Sequence, residues 1–305
     1  MAILDLLAPI FLLIALGAIV QRAGLLGTGE IAGVNRVIYW VGLPAAIFHA
    51  LATGEHSDAS VTGLVGVLTV GTLVAVALGW GVARVMGVRP VARGTFVQAA
   101  YRGNLSFVAL PLLLTVPGVP RAPAVLALAP MLILYNALAV GVLLMSQHAA
   151  GWRVARPILA GILRNPIIIA SVVGAIWSAL EWPLVSAAER TLGSLAKMTL
   201  PLALLTIGAA LMTVPLKGNR VQALVAAVFK VAVSPLIGYA VGRWWGLGEG
   251  EMLTVMLCMA CPSAAISYTM VKQLGGDEGL AATAIVFSTV MAVPALAVVL
   301  AWFGA

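Results

Sequence analysis

The sequence feature that decides the fold is the stretch Thr95-Phe-Val-Gln-Ala-Ala-Tyr-Arg-Gly-Asn-Leu-Ser-Phe-Val-Ala-Leu-Pro111, with Gly103-Asn104 at its centre. A second apolar stretch, Met252-Leu-Thr-Val-Met-Leu-Cys-Met-Ala-Cys-Pro-Ser-Ala-Ala-Ile-Ser267, carries Pro262-Ser263 near its centre. Both are long enough to cross a bilayer, and both contain residues that interrupt a helix. A helix broken at membrane depth is tolerated only where it is buried in protein or lines a cavity. Paired interruptions in two halves of a chain are typical of a transporter's substrate site.

The composition around these stretches is that of a polytopic helical membrane protein. Of the 305 residues, 62% are hydrophobic and 9% are charged, whereas soluble proteins average about 25% charged residues. Apolar runs of about 20 residues each predict one membrane span. Ten such runs, numbered here as spans 1 to 10, lie at about 3–21, 33–52, 61–84, 95–116, 122–146, 165–181, 197–214, 221–243, 251–272 and 279–302. No soluble domain is expected, and Asp5 in place of a basic segment argues against a cleaved signal peptide.

The net charge of +7 reflects membrane topology rather than nucleic-acid binding, so no nucleic-acid partner is expected. Of the 17 lysines and arginines, eleven lie in or beside the connections that join spans 1–2, 3–4, 5–6, 7–8 and 9–10, which share one face of the membrane. Four lie on the other face. The remaining two, Arg102 and Lys230, lie inside spans. The positive-inside rule then places both termini outside the cytoplasm and the 147–164 loop inside it.

The two halves of the chain repeat each other. Spans 1 and 2 align with spans 6 and 7 at an offset of 157 residues, which matches Gly17 with Gly174 and Pro44 with Pro201. The offset is 159 where Gly103-Asn104 meets Pro262-Ser263. Because each half holds five spans, the second enters the membrane the other way up. We therefore predict an all-α membrane protein of ten helices in a 5+5 inverted repeat, with halves 1–147 and 148–305.

The two breaks fall at about the same depth, because the chain runs through spans 4 and 9 in opposite directions. Asn104 and Ser106 are residue types that cap a helix, and they follow the first break. Pro262 suits the first position of a helix, with Ser263 beside it. Two helix N-termini at the midplane present N–H groups and positive dipole ends to one cavity, which favours an anion.

Arg102, Lys230 and Asn136 are polar residues inside spans. A cation at the bilayer centre costs about 2.5–3.5 kcal/mol on insertion scales. Arg102 either bonds to carbonyl groups freed by the broken helix or contacts an anionic ligand. Lys230 either meets a carbonyl group or water, or contacts such a ligand. Asn136 either bonds between helices or joins the site. The candidate substrate-binding residues are Asn104, Ser263, Pro262, Arg102, Gly103, Ser106, Asn136 and Lys230.

No cofactor or metal site is predicted. The three histidines, His49, His56 and His148, show no metal-ligand spacing, and Cys258 and Cys261 lie in an apolar helix where they suit packing. Neither an H-E-x-x-H nor a G-x-S-x-G motif occurs in the sequence, so no enzyme is expected.

Taken in order along the chain, these features resemble the auxin efflux carrier family in its short bacterial permease form. The resembling segments are Asn35 to Pro44, Arg102-Gly-Asn104 with Leu110-Pro111, Arg164-Asn165-Pro166, Leu200-Pro201 with Ile207-Gly208, Cys261-Pro262-Ser263, and Gly275-Gly-Asp277. The resemblance implies that spans 4 and 9 cross as broken helices in the inner membrane. It implies a scaffold of spans 1, 2, 6 and 7, against which spans 3–5 and 8–10 move as an elevator. It further implies a small organic anion as substrate, such as an auxin, malate or malonate, and allows a homodimer through the scaffold spans.

Two other functions stay open on the sequence alone. One is a sodium-coupled symporter of the bile-acid type, because Asn, Ser, Thr and backbone carbonyl groups can hold sodium. The other is a membrane-embedded sensor or channel. A sodium–proton antiporter is disfavoured, because the spans around the breaks lack mid-span acids.

Overall fold

The chain folds into helices. A computed structural model describes residues 2–53, 60–146, 164–213 and 218–304, with side chains described from residue 8 onward except those of residues 10 and 11. The helices are α1 (Ala2–Arg22), α2 (Thr28–Ala52), α3 (Val61–Val85), α4 (Pro90–Tyr101), α5 (Leu105–Thr115), α6 (Arg121–Leu144), α7 (Pro166–Ala179), α8 (Ser186–Thr213), α9 (Arg220–Trp245), α10 (Glu249–Ala260), α11 (Ile266–Leu274) and α12 (Glu278–Phe303). Within the described ranges there is no β-strand, so the all-α prediction is confirmed.

Six helices are long and apolar enough to cross a membrane by their length and composition: α2, α3, α6, α8, α9 and α12. Shorter apolar helices occur at Leu12–Arg22 within α1, in α5 and in α7. Each of the ten apolar runs lies mainly on helix where it is described, and the runs of spans 4 and 9 are each divided between two helices. The count of ten spans stays a prediction. Most of the 147–164 loop lies outside the described residues.

Proline residues are accommodated in three places by a wider helical turn. The π-helical turns Ile38–Gly42, Leu105–Ala109 and Phe229–Val233 each stand directly before a helical segment with proline at its second position. A proline ring crowds the carbonyl group four residues earlier, and in all three cases that carbonyl lies within the wider turn. The repeat-related prolines thus differ, because Pro44 follows a π turn whereas Pro201 lies inside the continuous α8.

The four helices of the predicted scaffold pack together, α1 along α8 and α2 along α7 and α8. A Cβ atom on Gly17 would lie 1.9 Å from the backbone oxygen of Leu205, and one on Gly208 would lie 1.8 Å from that of Ile14. The two glycines thus allow α1 and α8 to meet backbone against backbone, as small residues do between membrane helices. Gly174 of α7 is also close to α2, although its nearest neighbours are side-chain atoms of Leu51.

The remaining long helices form a second group around the two interruptions. α3 packs on α4, α6 and α9, and α9 packs on α4, α10 and α12. Phe96, Leu110 and Leu257 are fully buried in this group. Both helix interruptions therefore lie inside a packed body, where their backbone groups require protein partners.

Candidate functional site

The two helix interruptions pair with each other. They fall between α4 and α5 and between α10 and α11, where the sequence predicts them. Gly103 and Ser263 form an isolated antiparallel β-bridge. We call residues 102–104 and 262–264 together the bridge. The two interrupted apolar stretches are thus in direct contact near their centres.

Two backbone hydrogen bonds join the segments of the bridge. The Asn104 N–H donates to the Pro262 carbonyl oxygen at 2.8 Å, and the Ala264 N–H donates to the Arg102 carbonyl oxygen at 3.0 Å. Each segment satisfies backbone groups that the other interruption leaves free, and such pairing is required of buried backbone.

Side chains satisfy two further carbonyl groups freed by the breaks. In a continuous helix, the carbonyl groups of Ala99 and Met259 would accept from residues 103 and 263. Here the Ser263 hydroxyl donates to the Ala99 oxygen at 2.6 Å, and the Lys230 ammonium donates to the Met259 oxygen. The Ser263 N–H donates to Ser288 Oγ at 3.0 Å. Of the roles left open for Lys230, the structure shows carbonyl pairing.

Asn104 caps the helix that follows the first break. Its Oδ1 accepts from the Phe107 N–H at 3.2 Å, as its residue type predicts. Its Nδ2 has no acceptor among the described residues. Ser106 is half-buried in the first turn of α5 and does not act as a cap.

The second break differs from its prediction. α11 begins at Ile266, four residues after Pro262, so the placement of Pro262 at the first helical position is wrong. Its carbonyl group and the Ala264 N–H take part in the bridge, which keeps residues 262–264 out of the helix. The N–H groups of Ala265 and Ile266 have no backbone acceptor within the described ranges.

A cavity of about 350 Å³ lies beside the bridge, against α8 and α12. Asn104, Pro262 and Ser263 are part of its wall. The other lining residues are Val108, Ile207, Ala210, Leu211, Thr213, Ala265, Tyr268, Ala282, Ile285 and Thr289. Small-molecule sites usually measure about 300–1,000 Å³ and combine an apolar wall with a few polar groups. This cavity fits that description.

Arg102 lies behind the bridge rather than in the cavity wall. It is 4% exposed, and its guanidinium donates to Asn136 Oδ1 at 2.6 Å and to Met270 Sδ at 2.7 Å. Asn136 in turn donates from Nδ2 to the Leu132 carbonyl oxygen at 2.8 Å. The side-chain partners of Arg102 are therefore an amide and a thioether, not the freed carbonyl groups considered from the sequence.

Lys230 also lies close to the bridge. It is fully buried, and a Cβ atom on Gly103 would lie 3.4 Å from its Nζ. In the described ranges the one ion pair joins Arg89 to Asp277, at 3.3 Å, so neither Lys230 nor Arg102 is paired with a carboxylate. Two positive charges thus lie at or beside the bridge without an ion-pair partner among the described residues.

The wall supplied by α8 and α12 was not predicted. Ile207, Ala210 and Thr213 recur at intervals of three along α8, and Ala282, Ile285 and Thr289 lie on one face of α12. Both helices are apolar over most of their length, so the residues of a cavity-lining face do not differ in polarity from those on the other faces. The described residues contain no group of three or more His, Cys, Asp or Glu that could hold a metal.

A family profile described as membrane transport protein matches residues 2–300. The chain belongs to the membrane transport protein family. This is the auxin efflux carrier family, so the resemblance read from the sequence is confirmed. No individual curated protein matches the chain. As a member of the membrane transport protein family with several apolar helices, the chain is a multi-pass membrane protein of a transporter family.

Proposed function

We propose that this membrane transport protein is a secondary transporter that moves a small organic anion, a carboxylate, by elevator-type alternating access. The observation that carries the proposal is the bridge in the wall of a ligand-sized cavity. In secondary transporters, substrate sites form where interrupted helices meet near the midplane. Asn104, Pro262 and Ser263 contact the substrate, whereas Gly103 forms part of the bridge and the Arg102 and Lys230 side chains lie outside the cavity wall.

The charge distribution supports an anionic substrate. Arg102 and Lys230 are buried without a carboxylate partner in the described ranges, and no Asp or Glu is among the described residues that line the cavity. In a medium of low polarity, an anion is attracted to such charges and a cation is repelled. The free Nδ2 of Asn104 is a hydrogen-bond donor in the cavity wall that a carboxylate can accept from.

Helix packing supports the inverted repeat. Gly17 of α1 packs against α8, and its counterpart 157 residues later, Gly174 of α7, packs against α2. In a two-fold repeat, a contact between spans 1 and 7 requires a matching contact between spans 6 and 2. We therefore propose ten spans in two halves, with α1, α2, α7 and α8 as the scaffold. The homodimer that the family resemblance allows is proposed to form through that scaffold.

The proposed topology predicts the sides from which single cysteines are labelled. Cys258 and Cys261 are buried free thiols, and their replacement gives a cysteine-free background. In an inner membrane, a cysteine at residue 2 should then label from outside the cell membrane and one at residue 152 from the cytoplasm. If both label from the same side, the topology and the inverted repeat fail together.

Asn104→Ser separates the two roles of Asn104. Serine keeps a capping oxygen but removes the Nδ2 donor. We expect thermal stability to change little and carboxylate affinity to fall roughly tenfold, the lower end of the range for a hydrogen bond to a charged group. Calorimetric titration of both proteins measures the difference. Wild-type affinity in this variant would place the substrate away from Asn104.

Flux into liposomes tests the proposed function directly. Purified protein should accumulate a labelled carboxylate against its gradient when a coupling gradient is imposed, whereas a sensor gives no flux and a channel gives only downhill flux. A sodium gradient distinguishes the bile-acid-type alternative. In that alternative, the candidate sodium ligands are the buried oxygens Gln98 Oε1 and Ser267 Oγ, which have no hydrogen-bond partner among the described residues. However, Gln98 and Arg102 both donate to Met270 Sδ, and this places a fixed positive charge in the same region.

A further inference from the structure

A second cavity, of about 200 Å³, lies where α9 and α12 end and α10 begins. Its wall includes Tyr239 and Arg243 of α9, Glu249 of α10 and Trp302 of α12. It shares no lining residue with the cavity beside the bridge. The proposed function therefore leaves it without a role.

The wall of this second cavity carries one positive and one negative side chain that do not pair. Arg243 lies in the last turn of α9 and Glu249 in the first turn of α10, and each helix dipole favours the charge at its end. Within the described residues, neither the Arg243 guanidinium nor the Glu249 carboxylate has a hydrogen bond or an ion pair. Glu251, two residues further along, differs from Glu249 because its carboxylate accepts hydrogen bonds from the backbone N–H groups of Gly248 and Ser60.

Aromatic residues place the second cavity at a membrane–water interface. Trp244, Trp245 and Trp302 are 81%, 44% and 64% exposed, respectively. Tryptophan collects at the level of the lipid headgroups, where its ring is partly in apolar and partly in polar surroundings. The Tyr239 and Trp302 rings pack edge to face, with centroids 5.6 Å apart. In the predicted topology, Arg243 lies on the face away from the cytoplasm.

We propose that this cavity binds the headgroup of a zwitterionic aminophospholipid, phosphatidylethanolamine. Its phosphate is held by Arg243 and its primary ammonium by Glu249, so each headgroup charge meets the opposite charge of the protein. A cavity of 200 Å³ has the volume of about six or seven water molecules, at about 30 Å³ each. It therefore has room for the headgroup but not for the acyl chains. The chains remain in the bilayer, beside the aromatic rings of Tyr239 and Trp302.

Native mass spectrometry of the purified full-length protein measures the lipid bound. The protein is mixed with phosphatidylethanolamine, its N-methylated forms, phosphatidylcholine or phosphatidylglycerol, all with the same acyl chains. We expect retention to fall as the ammonium is methylated, because each methyl group removes a hydrogen-bond donor to Glu249. We expect phosphatidylglycerol to be retained less than phosphatidylethanolamine, because it has no ammonium group to meet the Glu249 carboxylate.

Two variants assign the preference to the two charges. Arg243→Gln and Glu249→Gln should each lower retention of phosphatidylethanolamine by roughly two- to fivefold, the range for exposed charge pairs. Glu249→Gln should also abolish the preference over phosphatidylcholine. Glu189→Gln and Arg190→Gln remove exposed charges from the first turns of α8, so they serve as matched controls and should behave as the wild type.

Three results would overturn the assignment. Equal retention of all the lipids would mean that the cavity is not selective for a headgroup. Greater retention of phosphatidylglycerol would indicate simple attraction of an anion. If soluble phosphoethanolamine raises the unfolding temperature as much as the lipid does, the ligand is a free metabolite. None of these measurements depends on transport, so they are independent of the proposed function.

Discussion

Gly208→Ala is expected to destabilise the protein strongly, although it adds a single methyl group. That methyl would lie 1.8 Å from the backbone oxygen of Ile14 and 2.7 Å from its carbonyl carbon. Backbone atoms cannot rotate away as a side chain can, so α1 and α8 must separate. Overpacking of this kind typically costs about 1–3 kcal/mol, and a clash with backbone is expected to reach the upper end. The midpoint of thermal unfolding in detergent measures the effect.

Two other glycines provide matched controls for this substitution. A Cβ atom on Gly33 of α2 or on Gly141 of α6 would meet no atom within 4 Å. Gly→Ala at an unobstructed helical position usually stabilises by about 0.5–1 kcal/mol, so Gly33→Ala and Gly141→Ala should keep or raise the unfolding temperature. If Gly208→Ala unfolds at the temperature of these controls, α1 and α8 do not meet at Gly208.

Arg102→Gln is expected to weaken binding of a carboxylate by roughly tenfold or more while affecting a neutral analogue much less. The guanidinium does not line the cavity, so its effect is electrostatic and acts across the bridge. Two unit charges ~10 Å apart interact by about 1.7 kcal/mol at an effective dielectric constant of ~20, which corresponds to more than a factor of ten in affinity. Glutamine retains the ability to donate to Asn136 Oδ1. Binding isotherms for the anion and its neutral analogue measure the difference.

Arg102→Lys is the charge-preserving control. It keeps the positive charge but loses the fork that reaches both Asn136 and Met270. Anion affinity should therefore stay near the wild-type value in Arg102→Lys and fall in Arg102→Gln. An equal loss for anion and neutral analogue would mean that Arg102 only braces the bridge. A wild-type preference for a cationic ligand would contradict the anion proposal itself.

The sequence is sufficient to locate both interruptions, because glycine, asparagine and proline act on the backbone locally. Gly103-Asn104 separates α4 from α5, and the Asn104 cap follows from its side-chain chemistry alone. The pairing of the two breaks also follows from the repeat, since both fall at the same depth of oppositely directed spans. Local chemistry and repeat symmetry are the features that a single sequence records well.

The features that the sequence did not predict depend on contacts between residues far apart in the chain. Pro262 suits the start of a helix, yet α11 begins at Ile266 because the bridge takes up residues 262–264. The partners of Arg102 come from α6 and α11, far along the chain. The apolar cavity wall depends on which faces of α8 and α12 turn inward. No pattern within a uniformly apolar helix marks that orientation.

The bridge also bears on how substrate preference can change in such a protein. Both hydrogen bonds that define it run from backbone to backbone, so neither requires a particular side chain at position 104 or 262. Positions 103 and 263 are more constrained, because a Cβ atom on Gly103 would lie 3.1 Å from the Cys258 backbone oxygen and the Ser263 hydroxyl holds the Ala99 carbonyl. The Asn104 and Pro262 side chains beside the cavity can then be exchanged while the main-chain frame is kept. The backbone of the bridge thus sets its shape, whereas the Asn104 and Pro262 side chains set the chemistry that the cavity presents to a ligand. New ligand preferences are accessible through very few substitutions, and libraries randomised at positions 104 and 262 should yield a high proportion of folded variants.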